Sequence, residues 1–254
     1  MKRTIKQLSD LTGRTALLTG GAGHIGTVIA DVLEEAGARV TTLDIQANGR
    51  ADAIRCDLRD ERRTRQAVRT AIARMGQLDI LIHCAAYVSA TKTPGWAVAF
   101  KRQTVAAWEE AMRVNLTAAF IMVQEAQRAL AASKHGSVIL FSSIYGLVGP
   151  DWRLYQGTPM ANPAGYAASK GGLLELTRYL ATTLAPRTRV NAISPGGIWR
   201  SQPKSFQRRY EARTPLGRMA REEDLKGAVV YLASDLSSYV TGHNLVVDGG
   251  WTIW

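Results

Sequence analysis

An α/β fold, with a seven-stranded parallel sheet covered by helices on both faces, is predicted from three observations. Short apolar runs alternate with amphipathic stretches from end to end. The first apolar run opens directly into a glycine-rich turn and a helical pattern. The length, 254 residues, suits one domain spanning 1–254 and able to bury a substantial core.

Strands are expected at Thr15 to Thr19, Arg39 to Asp44, Ala53 to Asp57, Asp79 to Cys84, Ser137 to Ser142, Arg189 to Ser194 and Asn244 to Val247. Between the first two, Ile25, Val28, Ile29, Val32 and Leu33 follow the i, i+3, i+4 rhythm of a buried helical stripe, which closes at Gly37. A long helix is expected from about Val105 to Ala131, with Trp108, Met112, Leu116, Phe120 and Val123 along a core-facing side. Another starts near Pro163, in whose first turn a missing N–H is harmless, and carries Leu173, Leu176, Leu180 and Leu184 inward. The irregular stretches at about 87–104, 145–162 and 196–213 follow strand ends, where open α/β sheets bind ligands.

Composition removes several function classes. No apolar run approaches the roughly 18 residues that cross a bilayer. The basic N-terminus lacks an apolar h-region, so it reads as a short cytosolic lead-in. Cys56 and Cys84 are the only cysteines and fall in predicted buried strands, which argues against a disulfide framework or a metal site. The net charge of +11 is large, but the arginines are spread over several helices, so nucleic acid is not an expected partner.

The first strand runs into Thr19-Gly-Gly-Ala-Gly-His-Ile-Gly26, and the amphipathic helix begins there. Strand, glycine turn and helix in that order form a pyrophosphate site: glycines let the backbone approach, and the helix amides face the anion. This makes the fold Rossmann-type and doubly wound. Asp44 ends the second strand, where a carboxylate can accept from both ribose hydroxyls and repel a 2′-phosphate, which favours NAD over NADP; a neighbouring arginine such as Arg50 could soften the preference. A solvated strand end is the alternative for Asp44. Asp57 could reach the adenine amino group or simply cap a turn before Arg59-Asp60.

Tyr166 and Lys170 lie four residues apart on one helix face, placing an ammonium beside a phenol. A fixed cation stabilises the phenolate and lowers its pKa, which suits proton transfer at an alcohol carbon. Together, the glycine turn, Asn115, Ser142-Ser143, Tyr166-x-x-x-Lys170, Pro195-Gly196 and Val246-Val-Asp-Gly-Gly250 resemble the short form of the short-chain dehydrogenase/reductase family, from about Leu11 to Trp251.

The resemblance implies an NAD-dependent oxidoreductase that interconverts a secondary alcohol and a ketone. Tyr166 would be the general acid or base, and Lys170 would lower its pKa and bind the nicotinamide ribose. Ser143 would hydrogen-bond the reacting oxygen, and Asn115 would hold a water linking the lysine to solvent. Asn115 bending its helix is the structural alternative. The implied cofactor contacts are Gly20, His24, Ile25, Gly26, Asp44, Ile45, Asp57, Leu58, Ala85, Tyr166, Lys170 and Ile198, with no metal. Two departures stand out. His24 occupies a position where the short form usually has glycine, and this spacing equally resembles the extended, sugar-nucleotide branch, for whose substrate domain this chain is too short. His83-Cys-Ala-Ala86 replaces the usual Asn-Asn-Ala-Gly, leaving cofactor contacts there to the backbone.

About ten residues more than the family commonly has separate Ser143 from Tyr166. They include Asp151-Trp-Arg-Leu-Tyr-Gln-Gly157, and the segment looks like a subset associated with flagellin modification and surface-sugar pathways. Trp152 and Tyr155 could stack on a sugar face or pack the loop on its own body. Arg153, Arg200, Arg208 or Arg209 could pair with an acidic substrate or be solvated. A polar, sugar-like or acidic small molecule is therefore expected. The alternatives are an epimerase or dehydratase that uses bound NAD transiently, and a noncatalytic NAD-binding regulator. The family resemblance implies a homo-oligomer, a tetramer or dimer, assembled through the long helices, with Trp251 and Trp254 suited to burial between subunits.

Overall fold

The computed structural model describes residues 2–46, 49–88 and 91–254. In chain order the elements are α1 (Ile5–Ser9), β1 (Thr15–Thr19), α2 (His24–Glu35), β2 (Arg39–Asp44), β3 (Ala53–Arg55), α3 (Glu61–Met75) and β4 (Ile80–His83). They continue with α4 (Val105–Met112), α5 (Ala118–Ala132), β5 (Gly136–Phe141), α6 (Ala164–Leu184), β6 (Thr188–Pro195), α7 (Lys204–Ala212), α8 (Lys226–Ala233) and β7 (Asn244–Val247). The seven strands form one parallel sheet in the order β3-β2-β1-β4-β5-β6-β7.

Strand side chains alternate between faces, so each central strand feeds two cores. Leu17 and Leu81 pack with Val68, Met122 and Leu173 from α3, α5 and α6. Ala16, Leu18, Ile80 and Ile82 pack the other way, against Ile29, Leu33, Val229 and Leu232 of α2 and α8. Each such buried leucine, isoleucine or valine contributes about 1.5–3 kcal/mol relative to exposure. The sheet is therefore the most rigid support available for loops at its carboxyl edge.

Three strands have the predicted bounds, and four differ by a residue or two at an end. β3 stops at Arg55 and β4 at His83, so Cys56 and Cys84 lie just past their strands rather than in them. Both thiols are free, and Cys84 is only partly buried. Pro163 precedes the first turn of α6 as its N-cap instead of entering it. The long helix expected from Val105 is interrupted by a π turn at Arg113–Thr117, where the Ala118 N–H reaches back to the Arg113 carbonyl. Its proposed apolar stripe is also corrected: Trp108 and Phe120 are 40% and 45% exposed, while the small residues Ala107, Ala111, Ala118 and Ala119 are buried. Val123 of that stripe is buried as expected, together with Ile121 and Met122, so the inward side of α5 holds large apolar groups as well as alanines while the two rings are turned outward.

Candidate active site

The strand order reverses beside β1. The chain moves outward through β2 and β3, then returns to place β4 on the opposite side of β1. The connections diverge there, so a crevice opens at the carboxyl ends of β1 and β4. Gly20 lines its floor with φ +76°, and a Cβ on it would stand 2.8 Å from the Ala85 Cα. At Gly26 a Cβ would lie 1.9 Å from the Gly20 carbonyl oxygen, so only glycine lets α2 begin this close to the turn. The first amides of α2, at His24, Ile25 and Gly26, have no acceptor within the helix and point into the crevice as a helix N-terminus does. His24 is the first helical residue and its side chain is exposed, a tolerated position rather than a catalytic one.

Asp44 ends β2 at the rim of the same crevice. Its carboxylate accepts from the Ala22 N–H at 2.9 Å and the Gln46 N–H at 3.0 Å, so it is oriented by the glycine turn rather than left as a solvated strand end. Arg50 does not lean over this carboxylate: its guanidinium donates to Glu34 at 2.8 Å and pairs with Asp31. Asp57 and Leu58 also line the cleft, but the Asp57 carboxylate is held by Arg59 at 2.7 Å, which lowers its pKa and satisfies the turn reading. Ile45, Ala85 and Ile198 lie on the cleft wall with them.

Tyr166, Lys170 and Ser143 meet in the middle of the cleft, whose volume is ≈ 790 Å³. Ser143 lies just past the end of β5, and its hydroxyl accepts from the Tyr145 N–H at 3.2 Å beside the Tyr166 phenol. Burial raises the Tyr166 pKa, while the nearby Ser143 hydroxyl and the Arg200 charge pull it down. Lys170 stands one helical turn on from Tyr166 along α6. Its Nζ donates to the Phe141 carbonyl at 2.7 Å and lies 5.7 Å from the Tyr166 ring centroid, and desolvation lowers its own pKa to about 8. The ammonium thus sits over the ring rather than against the hydroxyl, and Ser143 and Arg200 are what counter the burial of the phenol.

Asn115 lies in the π turn that interrupts the long helix. Its buried side chain accepts from the Tyr87 N–H at 2.5 Å and donates to Ser169 Oγ at 2.9 Å, tying the segment after β4 to α6. Its backbone carbonyl is met by His83 Nε2 at 3.2 Å. A carbonyl only accepts, so Nε2 carries the proton and Nδ1 accepts from the Thr19 hydroxyl at 3.0 Å. The same Thr19 oxygen accepts from the Cys84 and Ala85 amides at 3.2 Å. Burial depresses the His83 pKa to about 3, so the ring is neutral as this chain of bonds requires. Where the family usually has asparagine, histidine makes the side-chain bonds that hold the cleft floor.

The insertion after Ser143 forms the outer wall. Tyr155 lines the cleft, and its hydroxyl meets that of Tyr145 at 2.6 Å. Trp152 is 54% exposed and packs against Tyr155 outside the cleft, so of the two rings only Tyr155 can meet a ligand. Arg153 is turned to Asp151 at 2.8 Å, and Arg209 donates to the Leu154 and Gln156 carbonyls, binding the insertion to α7. Arg208 is exposed and outside the cleft lining, which leaves Arg200 as the one arginine of the four proposed that reaches it. Arg213 completes the clamp, with Asp151 at 2.6 Å on one side and the Trp251 ring at 5.1 Å on the other. Trp251 is buried within its own chain, 3% exposed against Tyr145 and Tyr210, while Trp254 is 71% exposed and bonds the Arg213 carbonyl. Sequence reasoning missed Asn162, Phe206, Tyr210 and Met219 on this wall. The Phe206 and Tyr210 pair, four apart after Pro195-Gly196, was a usable signal; Asn162 offered none.

Over residues 20–252 the chain matches the family model described as Enoyl-(Acyl carrier protein) reductase. It is 34% identical to cis-4-hydroxycyclohexanecarboxylate dehydrogenase of Sinomonas cyclohexanicum, covering 94% of this chain and 96% of that protein. It is 33% identical to an L-rhamnose 1-dehydrogenase (NAD(P)+) of a Sphingomonas species, again over 94% and 96% of the two chains. A short-chain dehydrogenase of Leptospira borgpetersenii, solved with bound NAD+, superposes with a TM-score of 0.87 at 33% identity, over 99% of this chain and 97% of that one. With the glycine cradle, the oriented Asp44 and the Ser143, Tyr166 and Lys170 cluster in one crevice, these likenesses identify the chain as a member of the short-chain dehydrogenase/reductase family, an NAD-dependent oxidoreductase of CH–OH groups.

Proposed function

We propose that Tyr166 is the general acid and base in the interconversion of a secondary alcohol and a ketone on a polar small molecule, with NAD preferred over NADP. The observation that carries this reading is the buried Ser143 beside the partly buried Tyr166 on the wall of the glycine-lined crevice, with Lys170 one helical turn away. Bound NAD supplies the hydride acceptor or donor. The chain's own residues do the rest. Ser143 orients the reacting oxygen, and Tyr166 takes or returns its proton. Lys170 has only to turn from the Phe141 carbonyl to the ribose hydroxyls for its charge to support a tyrosinate. Asn115 and His83 act as positioning residues: they hold Tyr87, Ser169 and the floor at Cys84-Ala85 in register. The cofactor would lie along Gly20, His24, Ile25 and Gly26, with Asp44 and Ile45 at its ribose, Asp57 and Leu58 at its adenine, and Ala85 and Ile198 toward the nicotinamide.

Residues 1–254 then form one catalytic domain, with substrate loops at about 87–104, 145–162 and 196–213; Ser89 and Ala90 of the first loop lie outside the described residues. Among the described residues no helix is long and apolar enough to cross a membrane, and a cytoplasmic location fits the low cysteine use. The exposed Trp108, Phe120 and Tyr179 on α4, α5 and α6 support a homo-oligomer, a tetramer, built on those helices. Sedimentation as a monomer at micromolar concentration would remove that assembly.

The direct test is Tyr166→Phe. It keeps the ring and deletes the proton, so turnover should fall by about 10²-fold or more, the usual range for a general acid or base. NAD affinity, read by fluorescence titration, should stay within about twofold, because the ring still packs. Near-normal turnover would take Tyr166 out of the mechanism.

A further inference from the structure

The substrate half of the cleft is walled by Tyr145, Tyr155, Met160, Phe206, Tyr210 and Met219, rings and thioethers suited to the faces of a hydrocarbon ring. Its polar atoms are already engaged. The Tyr145 and Tyr155 hydroxyls bond each other, and the Tyr210 hydroxyl accepts from the Gly197 N–H. The Gln202 amide accepts from the Arg200 N–H and donates to the Ile198 carbonyl, and the Arg200 guanidinium faces Glu222 at 3.5 Å. Burial pushes all three phenols up, so they are uncharged near pH 7, and the charge on this wall is the Arg200 cation set against Glu222.

One side chain on this wall is different. Asn162, four residues before Tyr166 and next to the N-cap of α6, lines the cleft and is only 5% exposed, yet its Nδ2 has no hydrogen-bond partner. A buried amide without a partner is destabilising, and proteins seldom retain one unless a ligand or water completes it. A half-turn about the Cβ–Cγ bond direction exchanges its N–H and C=O edges, so it can donate to a ligand oxygen or accept from a hydroxyl.

Resting on the oxidoreductase reading above, we propose that the substrate is an alicyclic secondary alcohol bearing one further oxygen substituent, and that Asn162 sets the specificity by hydrogen-bonding that substituent. The relatives alone leave the class open, because one is named for an alicyclic hydroxy acid and the other for a sugar. The wall favours the first. A hexopyranose brings several ring hydroxyls to a largely apolar surface with few polar groups to meet them, and every hydroxyl desolvated without a partner weakens binding.

The test compares kcat/KM with NAD for cyclohexanol, cyclohexane-1,4-diol, 4-hydroxycyclohexanecarboxylate and a set of aldohexoses. The wild-type protein should prefer the diol or the hydroxy acid over cyclohexanol by about tenfold or more, with every hexose behind them. Asn162→Ala should bring that ratio close to one. Asn162→Asp keeps the volume and should set the hydroxy acid back about tenfold against the diol, because two carboxylates would face each other. A hexose preferred over both ring compounds overturns the proposal, as does loss of rate in Asn162→Ala that is equal for all substrates. Absence of NADH formation with the whole panel, in protein that binds NAD, overturns the oxidoreductase reading and this proposal with it.

Discussion

The two halves of the cleft are built on different principles. The cofactor half is mostly backbone on rigid strands: Gly20 and Gly26 remove side chains so that a helix end and a strand end can approach, and Asp44 is oriented by the amides of the turn it faces. The substrate half is side chains on loops, tied down by an insertion whose Asp151 bridges Arg153 and Arg213, with Arg213 stacked over Trp251. A common cofactor needs geometry that does not vary, so it is held by backbone that packing over-determines. A particular substrate needs shape and a few polar contacts, and these are set by residues that can change without disturbing the sheet. Tyr166 and Ser143 stand on the seam.

That contrast orders the consequences of mutation. The loss of turnover in Tyr166→Phe, at about 10²-fold or more, is the largest and falls on neither half's binding. Asp44→Ala breaks the cofactor half: with up to two charge-assisted bonds to ribose removed, NAD affinity should fall by about 30-fold, and NADP affinity by clearly less because a repulsion is relieved. Isothermal titration with both dinucleotides checks this, and equal weakening would deny Asp44 its ribose contact.

Asp151→Ala sharpens the comparison from the other side. Unclamping the insertion should lower kcat/KM for the alcohol by about tenfold while NAD affinity moves by less than about twofold, as expected when positioning rather than cofactor binding is lost. A parallel loss of NAD affinity would mean that the halves are not separable. The hydrogen bond from Arg153, with the nearby Arg213 charge, holds the Asp151 pKa at about 2, below its ordinary 3.8. The clamp's contribution is therefore complete above pH 3.8 and lost only as pH falls through about 2, so the variant's deficit should be the same at pH 5 as at pH 8.

Legibility in the sequence follows the same division. The seven strands, the glycine turn with Asp44 after it, and the shared helix face of Tyr166 and Lys170 could be read because each depends on local spacing: period two in a strand, four residues along a helix, or a glycine where a backbone must pass closely; Ser143 was marked by the family resemblance. The misreadings have one cause, which is that a partner's location cannot be read from spacing. Trp108 and Phe120 looked like core at helical intervals, yet both are exposed while Val123 of the same stripe is buried beside Ala119 and Met122. Trp251 looked like an interface residue and is buried under its own chain. Arg153 and Arg209 looked available to an acidic ligand, but Asp151 and the carbonyls of the insertion hold them.

Lys170 shows the limit most clearly. A position four residues after Tyr166 is a property of the chain, and it places both side chains on one face of α6. Whether the ammonium meets the phenol or the Phe141 carbonyl depends on what β5 presents to that face. His83 and Asn162 were beyond the sequence for the same reason: one finds Thr19 and the Asn115 carbonyl, distant in the chain, and the other is conspicuous only because packing hides it and gives it no partner. Covalent order and local periodicity settled the sheet and the glycine turn, and put Tyr166 and Lys170 on one helix face. Long-range packing alone assigned hydrogen-bond partners, buried charges and the shape of the substrate wall, because those energies belong to pairs that folding, and not sequence adjacency, brings together.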